Sequence, residues 1–239
     1  MNHLVNVLND EMAALVQRVE RSLVVLHNGS HGIGAGLIWS RDGLILTNYH
    51  VIAYHPGHHW WFRAPHARTG ESRLHASLPD GSLLPCQVIA QEPEIDLALL
   101  RIQANELPTA LVADSRNLRI GQLALAIGHP WGERNVVTMG IISGLGKARV
   151  HGRRGEIDII RSDAHLAPGN SGGPLVNAIG GVVGINTMIV GGDQGIAIPS
   201  HVVSSFVDEA LSRSGQSARY GDERHTRRNR SSSHAEPFA

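Results

Sequence analysis

Residues 37–50 read Leu37-Ile38-Trp39-Ser40-Arg41-Asp42-Gly43-Leu44-Ile45-Leu46-Thr47-Asn48-Tyr49-His50. Two short apolar runs flank an Asp-Gly pair, the strongest short-range signal for a two-stranded hairpin. Outward from it the same pattern repeats. Residues 22–27, 87–90, 97–102, 122–127, 136–143, 157–161, 174–176, 182–187 and 195–198 are further β-type runs, most of them separated by turn residues. Many short strands without alternating helices predict an all-β chain, an antiparallel sandwich or barrel rather than a parallel α/β fold. The 27 glycines and 11 prolines agree with frequent turns and argue against a long-helix bundle.

Helices are expected only at the two ends of this β region. Leu4, Val7, Leu8, Met12, Leu15 and Val19 recur at steps of three and four, with Asn9, Asp10, Gln17 and Arg18 between them. That spacing predicts an amphipathic helix over residues 1–21 that docks one face on its own domain. A second helix is predicted over 200–211, with Ser200 as N-cap and Val202, Val203, Phe206, Val207, Ala210 and Leu211 apolar.

Composition bounds the partners. The chain has 21 basic and 21 acidic residues, and this balance argues against a nucleic-acid partner. The single Cys86 rules out an internal disulfide and any multi-cysteine zinc site. It is expected to be a small buried residue rather than a nucleophile. No stretch reaches the ~18 apolar residues of a membrane span. Leu4 to Leu8 is broken by Asn6 and stopped by Asn9, Asp10 and Glu11. No signal peptide is therefore expected, and the default location is the cytoplasm.

Chemistry concentrates at Gly169-Asn170-Ser171-Gly172-Gly173-Pro174-Leu175. A nucleophilic serine needs an exposed hydroxyl on a tight turn, with backbone N–H groups aimed at one point, and flanking glycines permit both. Such a site needs a base and an orienting acid. His50 ends the hairpin strand in Thr47-Asn48-Tyr49-His50, and Asp96 heads the apolar run 97–100. The Gly32-Ile33-Gly34-Ala35-Gly36 stretch lacks the strand–helix–strand setting of a nucleotide loop and reads as turn or strand-edge glycines.

The order His, Asp, Ser and the segments around it resemble the HtrA/Deg subfamily of trypsin-type, chymotrypsin-fold serine proteases. The segments are GIGAGLIWSRDGLILTNYHVI (32–52), EIDLALLRI (94–102), LRIGQLALAIGHPWG (118–132), VVTMGIISGLG (136–146), SDAHLAPGNSGGPLVN (162–177), GVVGINTMI (181–189) and GIAIPS (195–200). The resemblance runs from about residue 15 to 207. It implies two perpendicular six-stranded antiparallel β-barrels with the site between them, over about 22–105 and 118–199 of a protease domain spanning 22–211.

It also implies a cofactor-independent, metal-free serine endopeptidase acting on unfolded or exposed protein segments, as in protein quality control. Ser171 would be the nucleophile, His50 the general base and then acid, and Asp96 the orienting group. The Gly169-Asn170-Ser171 turn would form the oxyanion hole. Ile185, Asn186 and Thr187 would pair with the substrate backbone as an added strand. The family pattern Asp-Ala-Ala-Ile-Asn-Pro stands here as Asp163-Ala164-His165-Leu166-Ala167-Pro168, which puts His165 and Leu166 at the specificity pocket. The expected partner is a protein or peptide substrate, and family members often form homotrimers. The alternative class is a catalytically quiet protease fold that acts as a chaperone or binding module.

Two regions stand apart. Residues 54–73 hold Pro56, Pro65, His55, His58, His59, His66, Trp60, Trp61 and Phe62, a long loop with its own apolar content. Packing on the domain, gating of the cleft and metal binding by its histidines are the readings it allows. Residues 212–239 are rich in Ser and Arg and are expected to be a disordered tail. They are too few for the PDZ domain that family members usually carry, so none is expected within these 239 residues.

Overall fold

The computed structural model describes residues 2–28, 31–53, 74–129, 136–149, 156–190 and 194–213. In chain order these form α1 (Asn2–Glu20), β1 (Leu23–Asn28), β2 (His31–Ile38), β3 (Leu44–Thr47), α2 (Tyr49–Ile52), β4 (Leu74–Ser77), β5 (Leu83–Pro85), β6 (Gln87–Glu92) and β7 (Leu97–Arg101). Then follow β8 (Leu123–Gly128), β9 (Val136–Arg149), β10 (Glu156–Ser162), β11 (Pro174–Asn177), β12 (Val182–Val190), β13 (Gln194–Pro199) and α3 (Ser200–Arg213). Short 3-10 turns lie at Pro93–Ile95 and Ser115–Asn117. The 54–73 loop and residues 214–239 lie outside the described residues.

The fold is all-β in two units. The second is the expected six-stranded barrel, closed in the order β10-β13-β12-β11-β8-β9. The first is a seven-stranded sheet, β5-β4-β1-β2-β3-β7-β6, rather than a six-stranded barrel. The three-residue β5 pairs with the outer edge of β4, and among the described residues no bond joins β5 to β6 to close the sheet.

The hairpin around Asp42-Gly43 forms in register, Leu37 opposite Leu46 and Ile38 opposite Ile45. Its turn needs Gly43: φ is +98°, and a Cβ there would lie 2.2 Å from the Ile102 carbonyl oxygen. Strand alternation then divides the apolar residues between two cores. Ile38, Ile45 and Leu100 face a cluster inside the first sheet with Val24, Leu26 and Val51. Leu37, Leu44, Leu46, Leu97 and Leu99 face the opposite way, toward Leu125, Ile127, Val176, Ile185 and Ile198 of the barrel. This shared core fixes one unit on the other, so residues at its rim keep their distances across the junction.

Both helices seal the shared core. Leu15 and Val19 of α1 are buried in it, as are Val203, Val207, Ala210 and Leu211 of α3. Each such valine or leucine stabilises by about 1.5–3 kcal/mol when fully buried. The docking face of α1 is shorter than its apolar stripe, because Val7 and Leu8 are exposed. Ser200 does not act as the expected N-cap. Its hydroxyl donates to the Ala113 carbonyl (2.6 Å) and accepts from the Ser115 N–H (3.0 Å), and so ties α3 to the inter-unit connection. The helix also runs past the expected boundary at 211. Ser212 donates to the Asp208 carbonyl, and Arg213 pairs with Glu209, so the first two residues assigned to the tail are helical.

Candidate active site

His50, Asp96 and Ser171 converge where the two units meet. His50 sits in α2, directly after β3 and the buried Thr47-Asn48 pair. Asp96 follows the 3-10 turn at Pro93–Ile95 with φ 53° and ψ 44°. Left-handed backbone is uncommon outside glycine, and aspartate is among the residues that tolerate it. This kink turns the Asp96 carboxylate onto α2. Its Oδ1 accepts from the His50 backbone N–H (2.9 Å), and its Oδ2 lies 2.8 Å from His50 Nδ1. The Thr187 hydroxyl donates to the same Oδ2. A carboxylate beside Nδ1 selects the tautomer with its proton there and leaves Nε2 as the basic nitrogen. Nε2 has no hydrogen-bond partner among the described residues.

Ser171 stands on the turn before β11. Its hydroxyl donates to the Thr187 carbonyl (3.1 Å), not to His50. The turn is clamped from three sides. The Ala35 N–H donates to the Ser171 carbonyl (3.0 Å), the Gly172 N–H to Asn48 Oδ1 (2.6 Å) and to the Asn186 carbonyl (3.1 Å), and the Gly173 N–H to the Asn170 carbonyl (3.0 Å). The glycines are required by space. A Cβ on Gly172, where φ is +82°, would lie 2.1 Å from the Ala35 carbonyl oxygen, and one on Gly173 would lie 2.1 Å from that of Ile127.

The three residues expected to form the anion-stabilising turn differ in what their N–H groups do. The Asn170 N–H is already spent on the Ala167 carbonyl (2.9 Å). The N–H groups of Gly169 and Ser171 make no hydrogen bond among the described residues, as donors waiting for a charged oxygen would. The Asn170 side chain is 1% exposed, and neither of its amide atoms has a partner among the described residues. A buried amide left unpaired costs about 1–3 kcal/mol.

The expected substrate-contacting residues separate. Ile185 is buried, and its strand pairs on both sides, with Pro174 in β11 and Ile198 in β13. The Asn186 N–H donates to the Gly173 carbonyl, and its own carbonyl accepts from Gly172. Neither residue has backbone free for an added strand, which corrects that expectation for both. Among the described residues, β12 pairs only with β13 from Met188 to Val190. Among the described residues, the backbone edge left unpaired therefore begins at Thr187 and runs over 188–190. His165 is exposed, and its carbonyl accepts from the Thr138 hydroxyl. Leu166 is buried instead, against Gly195, where a Cβ would lie 2.9 Å from Leu166 Cδ1.

Elsewhere, burial pushes the Cys86 thiol up to about 12, which suits an inert side chain rather than a nucleophile. No group of three or more His, Cys, Asp or Glu residues among the described residues is arranged to hold a metal ion. No described helix is long and apolar enough to cross a membrane.

Residues 34–185 match the trypsin-like peptidase domain family. The chain is 38% identical over 184 residues to "Probable periplasmic serine endoprotease DegP-like" of Chlamydia trachomatis, covering 75% of this chain and 34% of that protein. It is 40% identical over 183 residues to "Serine protease HTRA1" of Xenopus laevis, covering 75% of this chain and 36% of the relative. It thus spans about a third of the length of these relatives. Among solved structures, "HtrA-type protease AlgWS227A with decapeptide" superposes with a TM-score of 0.71 at 31% identity, covering 85% of this chain and 67% of that one. The word periplasmic in the names of relatives from Chlamydia and Pseudomonas overturns the expected cytoplasmic location.

Proposed function

The chain belongs to the trypsin-like peptidase family, on its HtrA-type side, and we propose that it is a serine endopeptidase of the periplasm acting on unfolded or exposed protein segments. The observation that carries this is the two-point hold of Asp96 on His50, at 2.9 and 2.8 Å, beside a serine on a turn with two unspent N–H groups.

In this reading the Ser171 hydroxyl turns from the Thr187 carbonyl to His50 Nε2 when a substrate enters. Oγ attacks the peptide carbonyl carbon as its proton passes to Nε2. Negative charge gathers on the former carbonyl oxygen, facing the N–H groups of Gly169 and Ser171. Losing one such donor costs ~10²–10³ in rate. Asp96 stabilises the imidazolium, which then protonates the departing amine. Water attacks the acyl-enzyme by the same route in reverse, with His50 again as base. An extended peptide is held as an added strand along the open edge at 187–190. Leu166 and its neighbours shape the side-chain subsite. A homotrimer remains the proposed assembly, with the exposed Leu8 end of α1 available to it.

The test is digestion of fluorescently labelled casein by the chain and by Ser171→Ala. Cleavage lost in the variant, with the melting temperature kept, supports the proposal. Cleavage retained at even a tenth of the original rate contradicts it.

A further inference from the structure

Asn48 lies two residues before His50, is fully buried, and occupies the N-cap position of α2 with φ −82° and ψ 152°. An asparagine there normally turns its side chain onto its own helix. This one does not. Its Nδ2 donates to the Asp96 backbone carbonyl (2.9 Å), and its Oδ1 accepts from the Gly172 N–H (2.6 Å). A carbonyl needs a donor and an N–H needs an acceptor, so the two partners fix which way the amide points. One side chain thus touches the turn of the acid and the turn of the nucleophile while its backbone leads into the base. Asp96 belongs to the first sheet and Gly172 to the barrel side, so the contact crosses the junction.

We propose that Asn48 is a positioning residue that sets the spacing of Ser171 against the His50–Asp96 pair. The inference rests on the serine endopeptidase reading of the same site. The second bond of Gly172 shows why the effect is positional. Its N–H also donates to the Asn186 carbonyl (3.1 Å). Without Asn48 that N–H still has a partner and the Ala35 N–H still holds the Ser171 carbonyl, but the nucleophile turn loses its hydrogen bond to the segment that leads into the base. A displacement near 1 Å in such geometry can cost about 10² in rate.

The test is the inactivation of the full chain by a fluorophosphonate. Ser171 Oγ forms a bond to phosphorus, fluoride leaves, and the hydroxyl proton passes to His50. The maximal inactivation rate reports the chemistry and the half-saturating concentration reports binding. Asn48→Ala, on samples shown to be folded by near-ultraviolet circular dichroism, should lower the maximal rate about 10²-fold with little change in half-saturation. Asn48→Asp keeps shape and the acceptor for Gly172 but sets an oxygen against the Asp96 carbonyl. Only when the introduced carboxyl is protonated does it donate there again. The ratio of the Asn48→Asp rate to the wild-type rate should therefore rise as pH is lowered, which a packing role would not produce. If Asn48→Ala does not fold, Asn48→Asp decides. A flat ratio across pH, or a wild-type rate in folded Asn48→Ala, overturns the proposal alone. A wild-type chain that does not label overturns the endopeptidase reading and this inference with it.

Discussion

Gly172→Ala adds one methyl group to the turn that carries Ser171, and the structure says where that methyl would go. It would sit 2.1 Å from the Ala35 carbonyl oxygen and 2.4 Å from Thr47 Oγ1. Neither neighbour is free to yield. The Ala35 carbonyl accepts from Thr47 (2.8 Å), and the Ala35 N–H holds the Ser171 carbonyl. Carbon atoms pack at about 3.5–4 Å, so relief needs a shift on the order of 1 Å. The φ of +82° adds left-handed strain of about 1–2 kcal/mol. The turn must therefore retreat from the first sheet and take Ser171 with it. A misplacement of that size is expected to lower kcat/KM on labelled casein by about 10². Gly81→Ala is the control. Its φ is +89°, but nothing lies within 4 Å of the added methyl, so it should show the strain in the melting temperature and none of the activity loss. Gly172→Ala with activity within about threefold of wild type would refute the argument that contact with Ala35 and Thr47 fixes the nucleophile.

Three further changes test separate parts of the account. Asp96→Asn keeps the shape but can present an amide N–H to Nδ1, favouring the wrong tautomer, and kcat should fall by about 10⁴; a fall of under tenfold would show that Asp96 does not orient His50. Cys86, with its thiol pushed up to about 12 by burial, should resist iodoacetamide in the folded chain and react once unfolded in guanidinium; full labelling of the folded chain at the free-thiol rate would contradict that burial. For Asp42, burial pushes the carboxyl up, but the Ser40 hydroxyl and the Arg101 guanidinium, 3.0 Å away, outweigh it and hold the group below its ordinary value. Its stabilising contribution is then present at neutral pH and lost as pH falls through the folded-state value. The melting-temperature gap between wild type and Asp42→Asn should close on acidification, and a gap that widens would reverse the sign.

The hairpin, most strands and both long helices were legible because their signals are local: an Asp-Gly pair, period-two apolar runs, and stripes at three and four. The strand count of the first sheet was not. Residues 83–85 carry two leucines and a proline with no alternation, and only the edge of β4 makes them a strand. At the site, residue types and order pointed to His50, Asp96 and Ser171. What joins them could not be read. Asn48 stands in the quoted motif, but its partners lie 48 and 124 residues away. Thr187 was named for substrate contact, and its hydroxyl on Asp96 is a contact 91 residues distant. The expectation for Ile185 and Asn186 failed because a sequence does not say which edge of a strand is already paired. Ser200 likewise has a better use for its hydroxyl in a segment 85 residues back.

The central claim is that Ser171 is a nucleophile activated by His50. The direct test is to treat the 239-residue chain with a fluorophosphonate and map the adduct by peptide mass spectrometry. A single adduct on Ser171, lost in folded His50→Ala, is expected. An adduct on another serine, none at all, or equal labelling of Ser171 in folded His50→Ala would contradict it.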